Sequence, residues 1–306
     1  MDCRSLNHRA GWLVAGYLND NPRAVTPELM AGFLPENAGI AAEERLYAAL
    51  LGGFLGLDPE SSAEDRIIQE RYLQAGLRRL DPAVYRNDPY YREIRIEPAV
   101  HGNWKLAWLE YSPYELFLRD DLILTDDLRQ IPALGYFNEP FRYPSVLQDG
   151  REWMSIKPSE IESSLPAVAA ASGRVVTFGL GLGYFAFRAA GKDSVTSITV
   201  VERDPAVISL FREHILPQIQ YKDKITVIQA DAFDYLDHQM KPSPPDFVFM
   251  DIWHDIGDGL DLYVRAKAYE AAFPHTRFMY WIERSLRCAL IDFLEGRMES
   301  EEQVLQ

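Results

Sequence analysis

Only two cysteines, Cys3 and Cys288, occur in 306 residues. Two lone thiols near opposite ends of a chain build neither a disulfide framework nor a zinc site, and they fit a reducing compartment. Long apolar runs are missing as well. The longest uncharged stretch, 175–187, has thirteen residues and is interrupted by three glycines; the next, 46–57, is also too short to cross a bilayer. The first twenty residues carry Asp2 and no apolar core of the kind a cleaved leader needs, so export is not expected and the cytoplasm is the expected location. Positive charge is scarce. Against 46 Asp+Glu stand 31 Lys+Arg, a net charge of -15 spread evenly over both halves. A surface of that sign repels phosphate at long range, so generic nucleic acid and anionic membranes are not expected partners.

What remains is the composition of an ordinary globular protein, 47% hydrophobic and 25% charged, with length for one large domain or two of common size. The first ninety residues read as helices. Thr26 before Pro27 is a cap followed by a first helical proline, and 41–57 and 63–80 carry apolar positions at helical spacing. Ser62 with Asp65 is a weak capping box for the second of these. From about residue 94 the period shortens, and IRIEP, WKLAWLEY, YELFL and LILT read as strands. The stretch 132–158, rich in proline, glycine and aromatics, reads as a connector. The expected division is therefore an α+β accessory or substrate domain over 1–150 and a second domain over 151–306.

The pattern then becomes regular. Ser159 with Glu162 reads as the cap of a helix to about Ala171. Five apolar runs follow (174–179, 197–202, 224–229, 246–251 and 277–282), alternating with helical segments. Runs without polar alternation are what strands buried on both faces require. Alternation of β and α at this spacing predicts a Rossmann-like, doubly wound, mainly parallel sheet whose ligands sit beyond the strand C-terminal ends.

Those ends carry the chemistry. The first run enters Gly179-Leu180-Gly181-Leu182-Gly183-Tyr184, a G-x-G-x-G loop and not the G-x-G-x-x-G of dinucleotide folds. Glycines there permit a tight turn and close approach of a ligand, or serve the βα turn alone. The second run ends in Glu202, 21 residues after Gly181, where a carboxylate can accept hydrogen bonds from two ribose hydroxyls or simply open a solvated loop. Asp204-Pro205 reads as a helix cap. Asp231, after the third run, either caps the next helix or accepts from an adenine amino group. The fourth run ends in Asp251, followed by Trp253, His254 and Asp255.

Together VVTFGLGLG, ITVVERD, ITVIQADAF and PDFVFMD resemble, in order and spacing, the class I S-adenosylmethionine-dependent methyltransferases over residues 155 to about 295. The resemblance implies S-adenosylmethionine as cofactor. Gly179, Gly181 and Gly183 would line its methionine and ribose side, and Glu202, with Arg203 beside it, the ribose. Asp231 and Ala232 would meet the adenine, Asp251 would be a further cofactor-binding carboxylate where the cationic sulfonium nucleoside docks, and 154–158 would lie over the methionine end. With no sixth and seventh strand in view, the sheet is expected in the order 3-2-1-4-5, lacking a C-terminal hairpin. Asp251 and His254 are the catalytic candidates, His254 either as base or as a packed or capping residue. Asp251-x-Trp253-x-Asp255 also looks like the fourth-strand motif of cation-dependent O-methyltransferases, but Glu283-Arg284 stands where further ligands would be expected, so no metal is assigned. Two alternatives stay open. One is an aminopropyltransferase, similar to spermidine synthase, using decarboxylated cofactor and the series Asp251, Asp255, Asp258, Asp261. The other is a non-catalytic cofactor-binding module. The acceptor, a small molecule or a protein, and the oligomeric state are left open.

Overall fold

The structure, a computed structural model, describes residues 3–35 and 38–304, with side chains through 295; Asp2 lies outside the described residues. The chain divides into two compact units, 1–86 with 110–142, and 87–109 with 143–306. This corrects the linear boundary at residue 150. Segments 87–109 and 143–150 belong with the C-terminal half because their own partners lie there: Asp88 meets Arg188, and Trp104 meets Asp204.

The elements that lie wholly or mostly in the second unit are α1 (Pro89–Glu93), β1 (Ala99–His101), β2 (Trp104–Tyr111), β3 (Phe141–Gln148), β4 (Arg151–Ser155), α2 (Pro158–Ala170), β5 (Gly173–Phe178), α3 (Tyr184–Ala190), β6 (Val195–Glu202), α4 (Pro205–Leu210), β7 (Ile225–Gln229), α5 (Ala232–Tyr235), β8 (Phe247–Met250), α6 (Ile256–Tyr269), β9 (Arg277–Tyr280) and α7 (Glu283–Val304). Five of these strands form a sheet in the order β7-β6-β5-β8-β9 with every pair parallel. Val175, Val176, Thr177 and Phe178 of β5 and all four residues of β8 are buried, as befits central strands covered on both faces. One face packs Phe178, Val201, Val248 and Met250 against Phe233, Leu236, Tyr263 and Trp253. On β8, Phe249 stacks with Phe185 of α3, ring centroids 4.6 Å apart. The strand ends stay in step, since Asp251 N–H donates to Phe178 O at 2.9 Å and Gly179 N–H to Val201 O at 2.9 Å.

The stretch 132–158 is not a connector. It carries a short strand, Leu134–Tyr136, then β3 and β4, and the start of α2. Alternation was absent from the sequence of β3 because Tyr143, Pro144, Ser145, Val146 and Leu147 are all buried in succession. Strands β1, β2, β3 and β4 form a four-stranded sheet in that order. Between β3 and β4 the register slips: Val146 pairs with Met154 but Leu147 with Glu152, so Trp153 is the extra residue of a bulge. Bulges re-aim side chains, and this one turns two neighbours toward different strand ends of the parallel sheet.

The first unit is built on helices Cys3–Asp20, Pro27–Phe33, Ile40–Phe54 and Ala63–Ile68, the last running through a π-helical turn, Gln69–Leu73, to Gly76. Thr26 accepts from Leu29 N–H ahead of Pro27. Ser62 accepts from Asp65 N–H, but the reciprocal half of the box is missing, because Asp65 takes Asp58 N–H and Arg9 instead. Its core stacks Tyr47 on Tyr136 at 4.3 Å, and Arg79 pairs with buried Glu43 at 2.7 Å. The aromatics Tyr111, Tyr136, Phe137 and Phe141 are core residues, as is Trp104 in the second unit.

Candidate functional site

The turn after β5 is made of three glycines with left-handed φ: Gly179 at 92°, Gly181 at 48° and Gly183 at 75°. Each has its own reason. A Cβ on Gly179 would stand 1.9 Å from Asp251 O, so the turn closes directly on the end of β8. A Cβ on Gly183 would meet the Phe211 ring at 2.3 Å, at the position that starts α3. At Gly181 the nearest atoms, 2.9–3.0 Å from such a Cβ, belong to the Met154 side chain of β4. Two glycines thus serve the chain's own packing, and the third opens toward a flexible thioether. The loop is held from behind. Leu180 N–H donates to Glu202 Oε2 at 3.1 Å, and the Tyr90 hydroxyl donates to Leu182 O at 2.6 Å. The Tyr184 hydroxyl donates to Asp88 at 2.9 Å, and Arg188 completes the Asp88 pair.

The carboxylates divide by what they hold. Glu202, at the end of β6, also accepts Asp204 N–H at 2.8 Å through its second oxygen; burial raises its pKa against the pull of these N–H groups. Asp204 caps α4 through Ala206 N–H and meets the Trp104 indole at 3.1 Å. Asp231 accepts Phe233 and Asp234 N–H through Oδ1, the capping arrangement, and its side chain is exposed. Ala232 beside it is buried and Arg203 is exposed. Asp251 is different. Its carboxyl, pushed well above the usual range by burial and then by Glu160 and Glu202, makes no hydrogen bond or ion pair among the described residues.

Asp251, Gly179 and Gly183 line one cavity together with Glu160, Ser164 and Thr177, and Met154 closes part of it. Glu160 was not among the residues singled out by sequence. Burial pushes its carboxyl up to about 7, with Lys157 opposing and Glu152 reinforcing the shift. Ser159 is not the cap of α2, contrary to expectation; the helix starts two residues earlier than that cap would set it, at Pro158 behind Lys157, which caps with no side-chain bond. That shift moves Glu160 from the first to the third helical position, still within the first turn. The usable signal was Lys-Pro-x-Glu, with proline at the first helical position.

His254 is not part of that lining. Its ring is exposed and stacks on Trp153, centroids 5.6 Å apart, while Trp153 meets Trp104 edge-on at 5.8 Å. The bulge at Trp153 thus places Met154 over Gly181 and Trp153 on the loop after β8. Trp253 is core, packed on Gly259. The acid series after it is a helix start: Asp255 and Asp258 form a reciprocal capping box, and Asp258 also accepts His254 N–H at 3.0 Å. Glu283 is held by Tyr263 at 3.0 Å and Lys267 at 3.4 Å. Among the described residues no group of three or more His, Cys, Asp or Glu could hold a metal ion, and no helix is long and apolar enough to cross a membrane.

No protein-family model and no curated protein matches this chain. Solved structures similar to it include a putative O-methyltransferase from Klebsiella pneumoniae, 17% identical over 39% of this chain and 52% of that one, TM-score 0.30. Another is the O-methyltransferase from Bacillus cereus in complex with SAH, 19% identical over 39% and 53%, TM-score 0.30. A putative methyltransferase from Porphyromonas gingivalis W83 is 22% identical over 29% and 22%, TM-score 0.25. The matched part of this chain spans about half the length of the first two.

Proposed function

We propose that this protein binds S-adenosylmethionine at the C-terminal ends of β5, β6, β7 and β8 and transfers its methyl group to a small-molecule or protein acceptor. The observation that supports the reading is the cavity at the glycine turn, where Asp251 and Glu160, neither hydrogen-bonded among the described residues, sit beside Gly179 and Gly183, and where Met154, the side chain that faces Gly181, closes part of the opening. The donor set fits a cationic nucleoside. Asp251 and Glu160 offer negative charge at the turn, Glu202 keeps acceptor capacity beside it, and Asp231 has an oxygen outside its capping bonds. Met154 must swing off Gly181 for a nucleoside to enter, a small motion for an unbranched thioether.

S-adenosylmethionine, when bound, supplies an electrophilic methyl group on a sulfonium. The chain's part is positioning, worth about 7–11 kcal/mol where the reacting atoms are well aligned. Gly179 and Gly183 fix the turn, Glu202 orients Leu180 N–H, and Asp251 with Glu160 holds positive charge. Where the acceptor carries a proton, the exposed His254 imidazole is the candidate to take it, a contribution of roughly 10²–10⁴-fold. Asp255 and Asp258 are spent on their cap, which removes two acids from the charged series that aminopropyl transfer would use.

Calorimetry with S-adenosylmethionine and S-adenosylhomocysteine tests the reading. Binding is expected, with Glu202→Ala weakening it sharply. Absence of heat at millimolar ligand overturns the proposal, and preference for decarboxylated cofactor moves it to aminopropyl transfer.

A further inference from the structure

Two adjacent tyrosines of the short helix α1 reach two segments that border the cavity. The Tyr90 hydroxyl donates to Leu182 O, inside the glycine turn, at 2.6 Å. The Tyr91 hydroxyl donates to Ile156 O at 2.5 Å, between β4 and α2. Successive residues of a helix project about 100° apart, so one rigid turn can hold two separate segments. The tyrosines are themselves anchored on both sides. Asp88 accepts Tyr90 N–H at 2.8 Å, and it also takes the Tyr184 hydroxyl and Arg188 of α3. Beyond the helix, Arg95 N–H donates to Gln218 Oε1 and Gln218 Nε2 donates back to Arg95 O, each at 2.9 Å. The Tyr91 ring meets Trp108 edge-on at 6.4 Å, and the Trp108 indole donates to Ile96 O at 2.8 Å.

Ile156 is held from two sides. Its N–H donates to Pro144 O of β3 at 2.9 Å, its carbonyl takes Tyr91, and its side chain is fully buried. Two residues before it, Met154 stands 2.9–3.0 Å from where a Cβ on Gly181 would be. Two residues after it, α2 begins. Ile156 is thus the fixed point from which Met154 hangs, and the unbranched thioether is the part free to move. A buried carbonyl left without its donor is costly, so the segment has reason to shift once the Tyr91 hydroxyl is gone. We propose that Tyr91 is a positioning residue. Through Ile156 it fixes the backbone that carries Met154, and the Met154 side chain is the gate by which a nucleoside reaches the glycine turn. This rests on the preceding reading and adds to it what controls entry and release. Tyr91 does not itself line the cavity, so its effect falls on the rates of passage and not on ligand contacts.

Stopped-flow binding of S-adenosylhomocysteine to the full chain tests the gate. Tyr91→Phe keeps the ring and removes the hydroxyl. Association and dissociation rates are both expected to rise about three- to tenfold, with Kd within about twofold of wild type. A residue that contacts the ligand moves mainly dissociation, and one that only stabilises the fold moves the melting temperature and neither rate. Met154→Ala removes the gate itself and is expected to speed both rates, after which adding Tyr91→Phe changes them no further. Unchanged rates in Tyr91→Phe, a change in dissociation alone, or additive effects in the double variant overturn the proposal. Hydrogen exchange of the ligand-free protein is the second measurement. Amides 154–157 are expected to exchange about three- to tenfold faster in Tyr91→Phe, while amides 179–183 keep their wild-type rates. No change at 154–157 contradicts the brace. Failure of the wild-type protein to bind S-adenosylhomocysteine is a distinct result: it removes the cofactor reading and the nucleoside gate with it, whereas exchange at 154–157 still decides whether Tyr91 holds the segment.

Discussion

At the scale of single residues, three glycines of one turn carry different burdens, and substitution should separate them. Gly179→Ala drives a Cβ into the Asp251 carbonyl at an unfavourable φ, against backbone and not a flexible side-chain end. Gly181→Ala meets only the tip of Met154. Gly179→Ala is expected to lower stability by about 3 kcal/mol or more, and Gly181→Ala by roughly 1–2 kcal/mol, the ordinary cost of a left-handed alanine. Thermal unfolding of both variants checks the order, and a Gly181→Ala protein no more stable than Gly179→Ala contradicts it. Glu160 gives a second residue-scale prediction. It keeps its proton to about pH 7 in the folded state, whereas the unfolded group releases it near 4.5. The native state therefore binds more protons across that window, and stability falls as pH rises through it, by roughly 3 kcal/mol at most. Asp251 and Glu202, shifted in the same direction, add to the trend. Melting of the ligand-free protein should be lower at pH 8 than at pH 5, and Glu160→Gln should shrink the difference. An unchanged pH response in the variant would refute this.

At the scale of elements, the parallel strands were legible because central strands have no solvent face to alternate with, and PDFVFMD announces that directly. The observed β8, Phe247–Met250, lies within the run read from sequence, and β6 ends at Glu202 as read. Strand β3 has the same buried character, yet its aromatics and Pro144 resemble a linker, and its pairing with β2 and β4 is what reveals it. The start of α2 was misplaced by one competing signal, a serine that resembled a cap next to a proline that was the true first residue. The far end of α2 supplies a device that sequence periodicity could not show. Lys192 Nζ donates to the carbonyls of Val168, Ala169 and Ala171 at 2.6–2.7 Å, ending the helix with a charge where its dipole is negative. Lys192→Met keeps the aliphatic stem and removes those bonds. A loss of about 2 kcal/mol, roughly 4–8 °C in Tm, is expected by calorimetric melting. A melting temperature within error of wild type would show that water serves those carbonyls equally well.

At the scale of the whole molecule, the strand ends carrying Gly179, Glu202, Asp231 and Asp251 could be read from sequence, but not that the unit holding them is discontinuous. Asp88, Tyr90 and Trp104 carry no motif, yet they hold the glycine turn, α3 and Asp204. A fragment of residues 151–306 would leave the Arg188 charge and the Tyr184 hydroxyl without their buried acceptor. It is expected to lack a cooperative thermal transition by circular dichroism, in contrast to the full chain. A fragment that melts sharply would show that 87–109 and 143–150 are dispensable. The Asp88–Arg188 and Trp104–Asp204 bonds each join residues 100 positions apart. On a ribosome adding about 5–20 residues per second, the earlier partner of each pair waits roughly 5–20 s for the later one. During that interval Arg188 is not yet there to pair with Asp88, and the glycine turn cannot yet be braced. The moment of greatest exposure for this protein therefore falls in its synthesis, before the second half of the sheet exists.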